Sequence, residues 1–498
     1  MEMILTCLLC ILFTCIWVTA LQYLRKADSK KLPPGPTPFP IIGNLLEVGA
    51  NPHRSLANLA KKHGPIMTLQ LGQVTTIVIS SSTVAKEILK NHDLSFCNRT
   101  VPDAILAEQH GEIGMPWLPV TTAWRSLRKI SNSHIFTTQK LDANQYLRRE
   151  KIQQLLAHVQ ESCDAGRAIE VGQAAFNTTL NLLSNTVFSI DLADPSSEFA
   201  REFKKLVWGI MEEAGKPNLN DYFPILRKID PQGIRRRMGV HFREMLKMFD
   251  RLIVERLKQR QLHGSEPKDM LDTLLNITED KSEEIDRDQI KHLLLDLFAA
   301  GTDTTSSTLE WAMTELIRNP ETLSKARLEL EQIIGKGNQI EESDVSRLPY
   351  LQAIVKETFR LHPPVPLLLP RKASSDVEIC SYKVPEGAQV LVNVWAIGRD
   401  GSTCTWDDPN SFVPERFLGS DVDVRGRNFE LIPFGAGRRI CPGLPLAMRM
   451  LYLMLGTLIH SFGWKLEGGL KPEMMDMDDK FGITLQRAQP LRAVPVAL

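Results

Sequence analysis

Near the carboxyl end of this 498-residue chain a glycine-rich loop, Phe434-Gly435-Ala436-Gly437-Arg438-Arg439-Ile440, stops at Cys441 and opens through Pro442-Gly443 into an apolar stretch, 444–458. No other feature restricts the fold as much. A thiol at the start of a helix sits at the positive end of the helix dipole, which favours its thiolate. Glycines let backbone N–H groups approach the sulfur without a Cβ in the way. The result is a soft, electron-rich metal ligand, and the chain must build a core that encloses the loop and the helix behind it. A cysteine in this place is otherwise a small buried hydrophobe, so the rest of the chain decides between the two.

Hydrophobic residues make up 43% of the chain, enough for a large core, and charged residues 24%, which excludes the disordered and fibrous classes. Lys and Arg number 59 and so do Asp and Glu, so no overall positive field points to nucleic acid as a partner. Eight cysteines, at positions 7, 10, 15, 97, 163, 380, 404 and 441, lack the dense spacing of a disulfide scaffold, and a reducing compartment is expected. Cys7 and Cys10 form a C-x-x-C pair without polar partners, read as lipid-facing thiols.

From Met3 to Leu24 no charged residue occurs. A helix of that length, at about 1.5 Å per residue, crosses a hydrocarbon layer of about 30 Å. Arg25, Lys26, Lys30 and Lys31 follow the run and only Glu2 precedes it, so the positive-inside rule predicts a retained single-pass anchor with the body in the cytosol. The expected division is a membrane anchor with its basic flank at 1–31 and a catalytic body at 32–498. The body starts at the stiff connector Leu32-Pro33-Pro34-Gly35-Pro36.

The body shows no repeat and no linker long enough to separate domains. Helical periodicity covers 141–159, 244–262, 290–318 and 349–361, and strand-like runs lie at 72–80 and 378–394. The predicted class is mainly α with a small β region. Within the 290–318 pattern, Ala300-Gly301-Thr302-Asp303-Thr304-Thr305 sets a small residue and a polar cluster amid apolar ones. Gly301 removes a side chain where a ligand could approach, Thr304 offers a hydroxyl, and Asp303 offers a proton carrier. A helix bend with back-bonded threonines is the alternative. Glu357 and Arg360, three apart, share one helical face.

Together these residues resemble the cytochrome P-450 family. Phe434, Gly437, Arg439, Cys441 and Gly443 match every specified position of its F-x-x-G-x-R-x-C-x-G signature. Glu357 and Arg360 match its E-x-x-R pair, Arg416 its P-E-R-F segment, Asp303 and Thr304 its oxygen-activation motif, and Trp124 and Arg128 its W-x-x-x-R helix. The resemblance implies one large fold holding haem b (iron protoporphyrin IX) between two long helical segments, with the Cys441 thiolate as metal ligand. Trp124, Arg128, Arg371, Phe434, Gly437, Arg439 and Gly443 would then contact the cofactor. Glu357, Arg360 and Arg416 would form a buried charge network, in which losing one member costs about 3–5 kcal/mol. Asp303 and Thr304 would relay protons for oxygen activation.

The matching substrate segments are 101–120, 207–223, 293–305, 365–369 and 481–484, where Leu297, Ala300, Val365, Leu368 and Ile483 suit a lipophilic molecule. Segments 214–238 and 293–311 resemble a plant terpenoid-oxidising subfamily, which implies a monoterpenol such as geraniol, with a diterpene or a xenobiotic aromatic as the alternative. No G-x-G-x-x-G fingerprint occurs, so NADPH is expected on a partner, NADPH–cytochrome P-450 reductase, with Arg125, Lys129 and Arg438 as docking candidates. The family's setting implies the endoplasmic reticulum membrane. The chain departs from its relatives in a longer loop at Gly401-Ser402-Thr403-Cys404-Thr405. Two rival readings share Cys441: a haem-thiolate isomerase or dehydratase, which needs no Asp303-Thr304 relay, and a non-enzymatic membrane haem carrier or sensor.

Overall fold

In a computed structural model, residues 31–194, 196–263, 269–280, 285–401 and 406–498 are described. Residues 1–30 of the expected 1–31 anchor and residues 402–405 of the long loop lie outside them.

A 32-residue helix, Arg287–Arg318, organises the molecule. It begins three residues before its apolar pattern because Asp286 and Gln289 form a capping box: the Asp286 carboxylate accepts the Gln289 N–H at 2.7 Å, and the Gln289 side chain accepts the Asp286 N–H at 2.9 Å. It ends at Asn319, before Pro320. At about 1.5 Å per residue it runs about 48 Å, long enough to belong to two cores. Ile290, Leu293, Leu294, Leu295 and Phe298 pack with Phe176, Leu183, Phe203 and Phe249. Leu309, Ala312, Met313, Leu316 and Ile317 pack with Leu351, Ile354, Phe359, Met454 and Leu455. The polar run of this central helix falls at the junction of the two.

Pro349–Leu361 is helical as the pattern predicts, with Pro349 in the first turn, where its missing N–H costs nothing. The 141–159 pattern breaks at Asn144 into Thr138–Ala143 and Gln145–Asp164, and 244–262 is the latter part of Ile234–His263. The helix after the cysteine, Leu444–Ser461, outruns its expected end by three residues. It is apolar and long enough to cross a membrane, yet Met450, Leu451, Met454, Leu455, Leu458 and Ile459 pack inside the protein, in the core of Phe359 and Leu351, which accounts for its composition.

Strand is a minority. The largest sheet runs, in spatial order, Ile66–Leu71, Val74–Ile79, Gln389–Val392, Arg371–Lys372, Asn98–Arg99. The β-branched run Val74–Ile79 supplies one central strand, and its pairing with Gln389–Val392 is parallel while the others are antiparallel. The expected strand region 378–394 resolves into Val377–Ile379, Tyr382–Val384 and Gln389–Val392. The architecture is mainly α with a small β region, as the sequence predicts.

Candidate active site

The loop before Cys441 is shaped by one glycine above all. Gly437 has φ +68°, and a Cβ there would lie 2.3 Å from the Leu89 carbonyl oxygen, so no other residue fits. The turn sends Arg439 inward and brings Cys441 back, its N–H donating to the Phe434 carbonyl at 3.0 Å. Phe434 packs edge-on against Phe359 (centroids 5.1 Å apart), which pins the loop to the Pro349–Leu361 helix. Burial pushes the Cys441 thiol pKa up; N–H groups of Gly443 and Leu444 directed at the sulfur, and the Arg128 charge, oppose this. The residue is accessible although protein crowds it, because it borders a cleft of about 1140 Å³ lined by Arg128, Phe136, Leu444, Pro445 and Met448.

Beside the loop, guanidinium groups gather with little negative charge to balance them. Arg439 donates to the carbonyls of Cys97 (2.8 Å), Met115 (3.2 Å) and Leu118, and lies 4.6 Å over the Trp124 ring. Arg371 donates to the carbonyls of Phe96 (3.1 Å) and Ala436 (3.3 Å). Directly opposite it across the antiparallel pair stands Arg99, which donates to the Leu369 carbonyl at 2.6 Å and keeps a buried Nε without a partner. Like charges in cross-strand register repel. Burial lowers the pKa of Arg371 and Arg439 to about 10, and burial together with the charges of Arg371 and Arg439 holds Arg99 well below its usual range. Burial lowers Arg128 as well. The carboxylate that reaches this group, Asp93, lies 3.7 Å from Arg371 and is shared with Arg438 at 2.8 Å. Among the described residues four desolvated cations around one carboxylate are short of negative charge, and a flat ligand carrying two carboxylates, as haem b does, fits that deficit. Arg99 was missed in the sequence: Asn98-Arg99 carries no motif, and only the strand register to Arg371 reveals it.

The pair read from spacing is a buried network. Arg360 makes a two-pronged contact with Glu357 (2.7 and 2.8 Å) and donates to the carbonyls of Gly398, Pro409 and Ser411. Glu357 also accepts from Arg416 at 3.1 Å and from the Val413 N–H at 2.7 Å. Both charges of the pair are fully shielded from water, so the network ties the segment before the Cys441 loop to the Pro349–Leu361 helix.

Across the junction the central helix stays unbroken. Thr304 donates to the Ala300 carbonyl at 2.8 Å, and Thr302, Thr305 and Thr308 likewise bond back one turn, the geometry of the back-bonded alternative. Asp303 is buried, accepts from Gln486 Nε2 at 2.7 Å and from Thr484, and its carboxyl pKa is raised by burial. Gly301 departs from expectation: a Cβ there would sit 2.8 Å from Leu183, so the glycine serves close packing against the Val171–Phe188 helix and not the approach of a ligand. The accessible stripe is Leu297, Ala300 and Thr304, of which Ala300 is exposed in the middle of an otherwise buried helix.

Among the other apolar candidates, Val365 is half-buried, and the adjoining Pro364 carbonyl accepts the Leu485 N–H at 2.8 Å, which draws the 481–485 turn alongside. Ile483 borders a second cavity of about 380 Å³ with Val101, Ala214, Asp221 and Tyr222. Leu368 is turned away. Its φ of +51° aims it at the sheet core beside Gly435, whereas Leu369, the last residue of the expected 365–369 segment but not one singled out there, packs in the same core as Leu297. Of the docking candidates Arg125 and Arg438 are exposed, Arg438 paired with Asp93, and Lys129 is exposed on the Trp124 helix.

Comparison with known proteins bears on the whole of this arrangement. The family model of cytochrome P-450 matches residues 33–491. The chain is 59% identical to geraniol 8-hydroxylase of Catharanthus roseus over 494 residues, 99% of each chain. It is 59% identical to geraniol 8-hydroxylase of Swertia mussotii over 487 residues, 98% of each. With drimenol monooxygenase of Persicaria hydropiper it shares 55% over 489 residues, 98% of this chain and 97% of the relative. These are hydroxylases and monooxygenases by name, which sets aside the carrier, sensor, isomerase and dehydratase readings. With the match spanning sheet, central helix and cysteine loop alike, this chain belongs to the cytochrome P-450 family and is one of its haem-thiolate monooxygenases.

Proposed function

We propose that the chain hydroxylates a small lipophilic alcohol, a monoterpenol of the geraniol type, with Cys441 as the proximal ligand of the haem iron. The observation that carries this is a single juxtaposition. An accessible sulfur under two N–H groups and an anion-deficient arginine group stand at the start of the helix whose Leu446 packs against both cores, and the central helix, which also spans both, exposes Leu297, Ala300 and Thr304. The 59% identity to the geraniol 8-hydroxylases supports the choice of alcohol.

Haem b held here supplies the redox chemistry, since thiolate ligation favours O–O cleavage and transfer of one oxygen atom to the substrate. The chain's own residues do the rest. The N–H groups of Gly443 and Leu444 stabilise negative charge on the Cys441 sulfur. Arg99, Arg128, Arg371 and Arg439 would hold the propionates, with Trp124 stacked on Arg439, and Phe434, Gly437 and Gly443 would shape the floor. Asp303, with its pKa raised, takes up and releases a proton at its carboxyl oxygens. Thr304 Oγ1 donates to Ala300 and keeps its lone pairs as an acceptor. Leu297, Ala300, Val365 and Ile483, joined by Leu369, form apolar walls that exclude water and orient a C–H bond.

Electrons come from NADPH through NADPH–cytochrome P-450 reductase, which docks on the face carrying Arg125 and Lys129. Residues 1–31 anchor the chain in the endoplasmic reticulum membrane, with the catalytic body 32–498 in the cytosol.

The test is co-expression with a plant reductase in microsomes, a carbon-monoxide difference spectrum of the reduced protein, and product analysis with geraniol. A band at the haem-thiolate position with NADPH-dependent 8-hydroxygeraniol is expected. The band without that product overturns the choice of alcohol and directs the search to diterpenes and aromatic compounds; no band from folded, haem-loaded protein overturns Cys441 as ligand. Thr304→Ala should divert reducing equivalents to hydrogen peroxide, and unchanged coupling removes Thr304 from the relay.

A further inference from the structure

The segment 101–120 crosses over the central helix, and side chains far away in sequence clamp it. Asp103, with no exposed surface, accepts from Asn220 Nδ2 at 2.8 Å and Arg235 Nη1 at 3.0 Å. Further along, the Asp296 carboxylate of the central helix gives both oxygens to the segment: Oδ1 lies 3.1 Å from His110 Nε2, and Oδ2 accepts the Met115 N–H at 2.8 Å. His110 Nδ1 in turn lies 2.8 Å from His292 Nδ1.

The proton positions follow. A carboxylate only accepts, so His110 Nε2 carries a hydrogen toward Asp296, and of the facing Nδ1 atoms of His110 and His292 one donates to the other. Burial, reinforced by His110, lowers the His292 pKa to about 4, which keeps that ring neutral near pH 7. His110, His292 and Asp296 are 4%, 4% and 6% exposed. Gly114 makes room, since a Cβ there would lie 2.7 Å from His110 Cε1.

Three buried polar side chains are an expensive way to fill a core that apolar residues would fill as well. Their placement gives them a use. Asp296 and His292 share one face of the central helix, and Leu297 and Ala300, accessible apolar residues of that helix, follow directly. Met115 is tied on both sides of its residue, its N–H to Asp296 and its carbonyl to Arg439. The height of the segment above Leu297 and Ala300 is therefore set by a side chain of the same helix.

We propose that Asp296, oriented by His110 and His292, is a specificity-determining positioning residue: it fixes the 101–120 segment above Leu297 and Ala300 and thereby sets how large a lipophilic substrate the cavity takes. This rests on the reading of that segment as the roof of the reactive cavity.

The experiment uses the full-length, haem-loaded chain in lipid nanodiscs, as wild type and as Asp296→Ala, Asp296→Asn and His292→Phe. Hydrogen exchange of amides 110–118 reads the clamp without any substrate. Substrate-induced spectral shifts with geraniol and with a bulkier bicyclic sesquiterpene alcohol read the roof. In Asp296→Ala, exchange should rise about 10-fold, as loss of two hydrogen bonds allows. Geraniol affinity should fall about 5-fold while the bulkier alcohol loses less, with the carbon-monoxide band retained. The near-isosteric Asp296→Asn and His292→Phe, which leave the fold intact if the alanine variant does not load haem, should shift both readouts the same way by a smaller factor. Unchanged exchange overturns the clamp. Faster exchange with an unchanged ratio of the two affinities overturns the roof reading, and the proposal with it, while leaving the clamp standing.

Discussion

The cysteine side of the cavity and its roof are both held by buried polar networks, yet they are assembled over different distances along the chain. Glu357 meets Arg360 three residues away and Arg416 59 residues away. On the roof, Asp103 meets Asn220 across 117 residues, Met115 meets Asp296 across 181, and His110 meets His292 across 182. The first network ties elements that the fold fixes regardless of substrate. The second ties a loop to two helices and a turn, and each contact is made by side chains that no short pattern links. A rigid floor and a separately adjusted roof suit a family that keeps one chemistry while substrates change, because the roof can be altered without touching the thiolate.

The largest expected effect tests the floor. Glu357→Gln leaves Arg360 and Arg416 sharing a neutral amide in a water-free site, which should cost about 3–5 kcal/mol. Haem bound per polypeptide and thermal unfolding of the purified protein report it. Loss of less than about 1 kcal/mol would mean that the floor is no more rigid than the roof.

A smaller effect, with opposite signs in two states, tests the arginine group between floor and roof. Arg99→Leu removes one of two guanidiniums in direct cross-strand register and a buried Nε that has no partner. The haem-free protein should gain about 1–2 kcal/mol, since repulsion and desolvation are relieved. The loaded protein should lose haem faster, since one propionate contact is gone. Haem transfer to an acceptor protein and apoprotein melting measure the two, and equal signs would show that the group is balanced within the protein and not by the ligand.

The same contrast explains what the sequence reveals. Phe434 to Gly443 and Glu357 with Arg360 are local, so helix geometry and turn stereochemistry suffice to place them. Thr304 and Asp303 were placed on the right helix, but not the partners Gln486 and Thr484 that take up Asp303, because those come from a turn some 180 residues later in the chain. Gly301 looked like room for a ligand and proved to be room for Leu183, since periodicity shows that space is needed and not what fills it. Leu368 packs on the sheet core and Leu369 on the core of Leu297 because a single positive φ rotates the chain there, and nothing in a leucine announces that. Arg99 needed the register of a two-residue strand.

The smallest expected effect lies in the roof and depends on pH. Asp221 accepts the Asp103 N–H at 2.6 Å, and burial, with the Asp103 charge adding to it, raises its pKa from 3.8 to about 6 against the pull of that N–H and of Arg227. An acid whose folded pKa is raised holds a proton that the unfolded chain has already released. Its contribution to stability is therefore favourable below pH 3.8, is lost as pH rises through about 6, and stays constant above. Asp221→Asn keeps an oxygen to accept the Asp103 N–H but cannot ionise. The variant should match the wild type near pH 4 and exceed it by about 1–2 kcal/mol at pH 7.5, discounted from the full shift for partial contact with water. Melting curves across that range read the difference directly. A gain that does not vary with pH would show that the Asp103–Asp221 contact is one of packing. A gain that builds between pH 4 and about 6 and is constant above would show that the roof, unlike the floor, carries a charge whose burial is only partly compensated, and so that this end of the roof is the easier one to lift.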